Sequence, residues 1–63
     1  EYGIMEAISK MKEDFRLIII LYYYDEYSIK EIAQILEIPE GTAKSRLFKA
    51  RENLKTNLGK KGK

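Results

Sequence analysis

A chain of 63 residues with neither cysteine nor histidine has no disulfide, thiolate or imidazole to staple it together. Its fold must come from apolar burial alone. A domain this short buries only about 60% of its unfolded surface, so its core is thin and every apolar stripe counts. The same two absences exclude the usual zinc constellations and histidine-based acid–base catalysis. No cofactor is implied. Hydrophobic residues are 44% of the chain and charged residues 35%, a balance too apolar for wholesale disorder. A staple-free small domain fits the reducing cytoplasm. The longest apolar run, Leu17 to Tyr24, falls far below the ~20 residues that span a bilayer, so no membrane insertion is expected. Beginning at Glu1 rather than Met, the chain reads as a piece of something longer.

Periodicity predicts an all-α fold of four helices. Ile4, Met5 and Ile8 fall at helical spacing and give a first short helix over 3–10. A second starts near Lys12 or Glu13, with Glu13 and Asp14 at the positive end of the dipole, and runs to about Tyr24. Its three consecutive isoleucines also suit a strand; length and the charged lead-in favour helix. The third has a well-marked start. Ser28-Ile29-Lys30-Glu31 is a capping box, with Tyr27 and Ile32 placed for a hydrophobic staple. Its stripe of Ile29, Ile32, Ala33 and Leu36 must end before Pro39, because proline disfavours helical geometry at Ile38. The fourth starts around Pro39 and Glu40 and continues to about Asn57. Its residues Ala43, Leu47, Ala50, Leu54 and Leu58 share an arc of about 80°. Residues 1–58 therefore read as one domain, and the basic tail 59–63 as disordered. No winged element is expected.

Charge is unevenly placed. Residues 1–27 carry three Lys or Arg against six Asp or Glu, whereas residues 28–63 carry nine against four. A basic back half suggests a polyanion as partner, although a solvated helix face would look the same. Two helices joined by the tight connection Glu37-Ile38-Pro39 suggest a C-terminal helix-turn-helix. In that motif the first helix crosses the DNA backbone and the second enters the major groove. Phe48 sharpens this reading, because it projects off the apolar arc among Lys44, Ser45 and Lys49. As a DNA contact, Phe48 would meet a thymine methyl, with Lys44 and Lys49 donating to guanine and Ser45 to either kind of base. As ordinary surface, it would be a stray exposed Phe or would cover a neighbouring helix edge. Thr42, Arg46 and Arg51 flank the same surface and suit phosphates, or are simply solvated helix positions. Glu52 is an anion on this face, lying beyond the contact or accepting from a cytosine amine.

Ser28-Ile29-Lys30-Glu31-Ile32-Ala33, then Ile38 through Leu47 (IPEGTAKSRL), then Lys49-Ala50-Arg51, closely resembles region 4 of bacterial sigma factors. The resemblance is to the extracytoplasmic-function (ECF) group of the sigma-70 family and covers roughly residues 4–58. It implies a C-terminal sigma domain that reads the upstream (−35) promoter element in double-stranded DNA. Base-reading positions of the family match Lys44, Ser45, Phe48 and Lys49. The resemblance also implies docking on the flap of the RNA polymerase β subunit, and masking by an anti-sigma factor. Two positions depart from the pattern: Glu37 stands where a turn glycine is common, and Lys12 where the second helix often starts with proline.

The nearest rival is the LuxR-type response-regulator domain, which shares the four-helix plan but commonly has His where Arg46 stands. A third reading is a helical interaction module whose apolar second helix is the working surface. That helix is apolar or aromatic at every position from Leu17 to Tyr24, so some side chains face outward unless covered. Either the first helix and the third wrap it from both sides, or a groove lined by the outer members of Ile18, Ile19, Leu21, Tyr22 and Tyr23 receives an apolar helix from a partner. No nucleophile–base pair, phosphate loop or metal cluster is visible, and the chain is not expected to be an enzyme.

Overall fold

A computed structural model describes residues 2–61, with side chains from Gly3 to Gly59. Four helices follow in order: α1 (Tyr2–Ser9), α2 (Glu13–Ile19), α3 (Ile29–Leu36) and α4 (Glu40–Lys61). Among the described residues there is no strand, and no helix is long and apolar enough to cross a membrane. The long axis of the domain is 37 Å, close to the ~33 Å of a 22-residue helix, so α4 sets it. The other three helices pack along α4.

The capping box forms as the sequence requires. The Glu31 amide donates to Ser28 Oγ at 3.1 Å and the Ser28 amide donates to Glu31 Oε1 at 2.8 Å. The other end of α3 closes on Glu37, whose backbone is left-handed at φ 59°. There the Ile38 amide donates to Ala33 O at 3.0 Å and the Glu37 amide to Gln34 O at 3.2 Å. This is a Schellman closure built on a residue other than glycine. The strain expected at that turn is present in the backbone angle.

The second helix departs from plain α geometry. α2 runs into a π-helical turn over Ile20–Tyr24, where the Asp25 amide reaches back five residues to Ile20 O at 3.0 Å. Three β-branched residues in a row, Ile18 to Ile20, crowd an α-helix at χ1, and the wider turn opens at the last of them. The chain then reverses through Glu26, at φ 61°, with the Tyr27 amide donating to Leu21 O at 3.0 Å.

Ile18, Ile19 and Ile32 have essentially no exposed surface and form the centre of the core, with Ile8, Met11, Leu21 and Leu47 around them. α4 joins this cluster through Leu47 and Ala50, and Ala43 on the same face is also fully buried. The small alanine side chains let neighbouring backbones approach closely. Leu54 and Leu58 complete the same arc, half-buried. Near its far end, α4 is tied to α1 by Asn57 Nδ2 donating to Ala7 O at 3.2 Å.

Two expectations change. The fourth helix does not stop near Asn57 but continues through Lys61, so 59–61 of the supposed disordered tail is helical; Gly62 and Lys63 lie outside the described residues. A helix already nucleated by packing extends at one hydrogen bond per added residue, and lysines suit its negative end. Ile18, Ile19 and Leu21 cannot offer an outer surface, because α1, α3 and α4 enclose them. The outward members of that helix are Leu17, Tyr23 and Tyr24.

These local features have opposite signs in stability. Ser28→Ala should cost about 1 kcal/mol by removing the cap. Glu37→Gly should stabilise by a similar amount, since left-handed backbone costs an L residue roughly 1–2 kcal/mol, partly offset by glycine's unfolded-state entropy. Each kcal/mol moves the melting temperature of a domain this size by about 4–8 °C, so thermal melts should separate the two variants in opposite directions.

The tyrosines should also divide. Tyr22 is half-buried against the core and meets the Tyr23 ring edge-on at 5.0 Å, whereas Tyr24 is 54% exposed. Tyr22→Ser is expected to cost about 2–3 kcal/mol in urea unfolding, and Tyr24→Ser less than about 1 kcal/mol.

Candidate nucleic-acid interface

α3, the turn through Glu37 and Pro39, and the first turns of α4 form a helix-turn-helix. Pro39 stands just ahead of α4, and its carbonyl accepts from the Ala43 amide at 3.0 Å, opening the helix. With Ala43, Leu47 and Ala50 turned into the core, the opposite side of α4 must face solvent.

On that side the structure brings together the residues predicted to meet DNA. Lys44, Ser45, Phe48 and Lys49 are exposed, as are Thr42 and Arg51; Arg46 is half-buried. Phe48 is 63% exposed, the barest of the large apolar side chains described. It therefore does not cover a neighbouring helix edge. No side chain of Lys44, Arg46, Lys49 or Arg51 makes an ion pair or hydrogen bond with another described residue. By contrast, Glu52 lies 3.9 Å from Lys55 one turn on, which partly neutralises the one anion on this face. The result is a broad basic surface with unpaired cations on both flanks and a bare aromatic ring on one of them. Such a surface attracts phosphates and offers both donors and apolar contact to base edges.

At 100° per residue the two flanks divide as follows. Thr42, Ser45, Arg46 and Lys49 fall on the side toward α2; Lys44, Phe48 and Arg51 fall on the other. The first four border a shallow cleft whose remaining wall is Phe15, at the start of α2. Phe15 falls inside the predicted second helix, where spacing gave it no separate role. Its place beside α4 follows from how α2 packs, which periodicity cannot give.

A second feature lies on the core side of α4. Shallow apolar grooves run between α1 and the π-helical turn, bordered by Ile4, Met5, Tyr23, Tyr24 and Leu54. Tyr24 Oη donates to Met5 Sδ across them at 3.6 Å. Of the residues expected to line a partner surface, Tyr23 is here in the open, Tyr22 is half-buried, and Ile19 contributes only at the floor. Ile18 and Leu21 take no part. Ile4, Met5 and Tyr24 were not expected. Only the packing of α1 against the second helix brings them together.

Comparison with known proteins agrees with this geometry. The family described as "Sigma-70, region 4" matches residues 3–54. The chain is 44% identical over 55 residues to the ECF RNA polymerase sigma factor SigW of Bacillus subtilis, covering 87% of this chain and 29% of SigW. It is 39% identical over 57 residues to the RNA polymerase sigma factor FliA of Escherichia coli, covering 90% of this chain and 24% of FliA. The ECF RNA polymerase sigma-E factor of Salmonella typhimurium is 43% identical over 49 residues, covering 78% and 26%. The chain thus spans less than a third of the length of these relatives. Its matched part includes the capping box, the strained turn and the exposed basic side of α4. The chain belongs to the sigma-70 family as its region 4, of the kind carried by the ECF factors.

Proposed function

We propose that this domain reads the upstream (−35) promoter element and thereby directs RNA polymerase in transcription initiation, with no catalysis of its own. One observation carries the reading: the solvent side of α4 bears a bare Phe48 with the unpaired Lys44 and Lys49, and the unpaired Arg46 and Arg51 stand at its two edges. α4 lies in the major groove. Lys44 and Lys49 donate to guanine edges, Ser45 to either kind of base, and Phe48 packs on a thymine methyl. Thr42, Arg46 and Arg51 hold phosphates, which fix the register of the helix without reading sequence. The protein acts in the bacterial cytoplasm, where its substrate and polymerase lie.

The apolar grooves beside Tyr23, Tyr24 and Met5 support a second contact. In this reading they receive the flap of the polymerase β subunit, and an anti-sigma factor acts by competing for the same surface. Tyrosines suit such a contact, since each buries a ring and keeps its hydroxyl wet.

The two classes of DNA contact differ in what their loss does. Lys44→Ala or Lys49→Ala should cost on the order of 1–3 kcal/mol on the preferred duplex and relax sequence preference. Arg51→Ala should weaken preferred and random duplexes alike and lower the salt slope by about one. Titrations of labelled duplexes over a range of salt concentrations separate these outcomes. Equal losses on all sequences for all three variants would remove the base-reading assignment. Weak, salt-insensitive binding by the parent protein would favour an interaction module instead.

A further inference from the structure

Phe15 sits on α2, outside the helix-turn-helix, yet it walls the cleft shared by Thr42, Ser45, Arg46 and Lys49. The residue is half-buried and packs against the core cluster. Its backbone is anchored next door, where Arg16 Nη1 donates to Met11 O at 3.0 Å and ties the start of α2 to the preceding turn. The ring is therefore a fixed surface facing one flank of α4.

Of the cleft's two cations, Arg46 is already half-buried, whereas Lys49 is exposed and has no partner among the described residues. A lysine carries four methylenes and a strongly hydrated head, so its stem tends to lie along apolar surface while the ammonium stays wet. It also loses much rotamer freedom when ordered. An aromatic wall beside it restricts that freedom before DNA arrives, which lowers the ordering cost of binding.

We infer that Phe15 is a positioning residue for DNA recognition: it aligns Lys49 toward the major groove from outside the helix-turn-helix. The inference rests on the DNA-reading assignment above and goes beyond it by giving α2 a part in sequence selectivity. Phe15 itself touches no base.

The test uses the duplex that the parent protein enriches from a random pool, with a scrambled duplex as control, and parent, Phe15→Ala and Phe15→Leu proteins. Phe15→Leu keeps an apolar wall and a filled core, so it remains informative where Phe15→Ala fails to fold. Binding is measured well below each variant's melting temperature. Folded Phe15→Ala should lose about tenfold in preference for the enriched duplex, the low end for one base contact. Phe15→Leu should lose less, and scrambled-duplex affinity and salt slope should stay as in the parent. In a Lys49→Ala background the Phe15→Leu effect should vanish, because interacting residues are non-additive. Unchanged preference in either folded variant, or additive losses with Lys49→Ala, would overturn the inference while leaving the DNA-reading assignment standing. A parent protein that enriches no duplex would overturn both.

Discussion

The contact on which this domain depends is that of Ile18, Ile19 and Ile32 with the alanine face of α4. With no cross-link available, these isoleucines are the largest fully buried side chains among the described residues. They come from two different helices, so their burial fixes α2 and α3 against α4 together. Ala43 and Ala50 make the fit close, because a larger side chain at either place would push the helices apart and open the core. Once that face is turned inward, the remainder of α4 has no freedom to choose its orientation. The exposed strip of Lys44, Ser45, Phe48 and Lys49 is a geometric consequence of where the alanines are.

The turn before α4 converts this packing into a presented helix. Glu37 accepts a left-handed backbone so that the Ile38 amide can close α3, and Pro39 follows as the residue that cannot prolong it. Most chains would use glycine at such a position. Here the cost is modest, the carboxylate is exposed, and the path of the chain is the same. The capping box at the other end of α3 works in the opposite sense, satisfying amides that would otherwise lack partners. Local sequence thus pins both ends of the eight-residue α3, and only its middle turns rely on the core.

Much of this was legible from the residues in order. The capping box, the boundary at Pro39, the apolar arc of α4 and its polar opposite face follow from spacing, and each stands where spacing put it. The second helix was less legible. A run apolar at every position has no preferred inward side, so periodicity could not tell Ile18 from Leu17. The π-helical turn added a further obstacle, since it changes the angular step that such reasoning assumes. The candidate partner surface therefore took in Ile18, Ile19, Leu21, Tyr22 and Tyr23 without distinction, although the first three are buried and only Tyr23 is exposed. Phe15 and Asn57 escaped notice for a related reason. Their partners, the α4 cleft and the Ala7 carbonyl, are distant in sequence and are brought close only by packing.

The two exposed features lie on different sides of the same helix, and this separation matters more than either feature alone. The cationic strip occupies the outer face of α4. The apolar grooves are built from α1 and the π-helical turn on its core side, touching α4 only through Leu54. At 100° per residue, Leu54 lies in the inward arc with Ala43 and Ala50, well away from Ser45. A duplex held against the outer face therefore leaves Met5, Tyr23 and Tyr24 uncovered. The wet, charged surface and the greasy one also differ in how they respond to solvent: salt screens the first and leaves the second nearly unchanged. On the proposed reading, a duplex on the outer side of α4 and an apolar partner in the grooves of α1 and the π-helical turn meet different surfaces and do not compete for space.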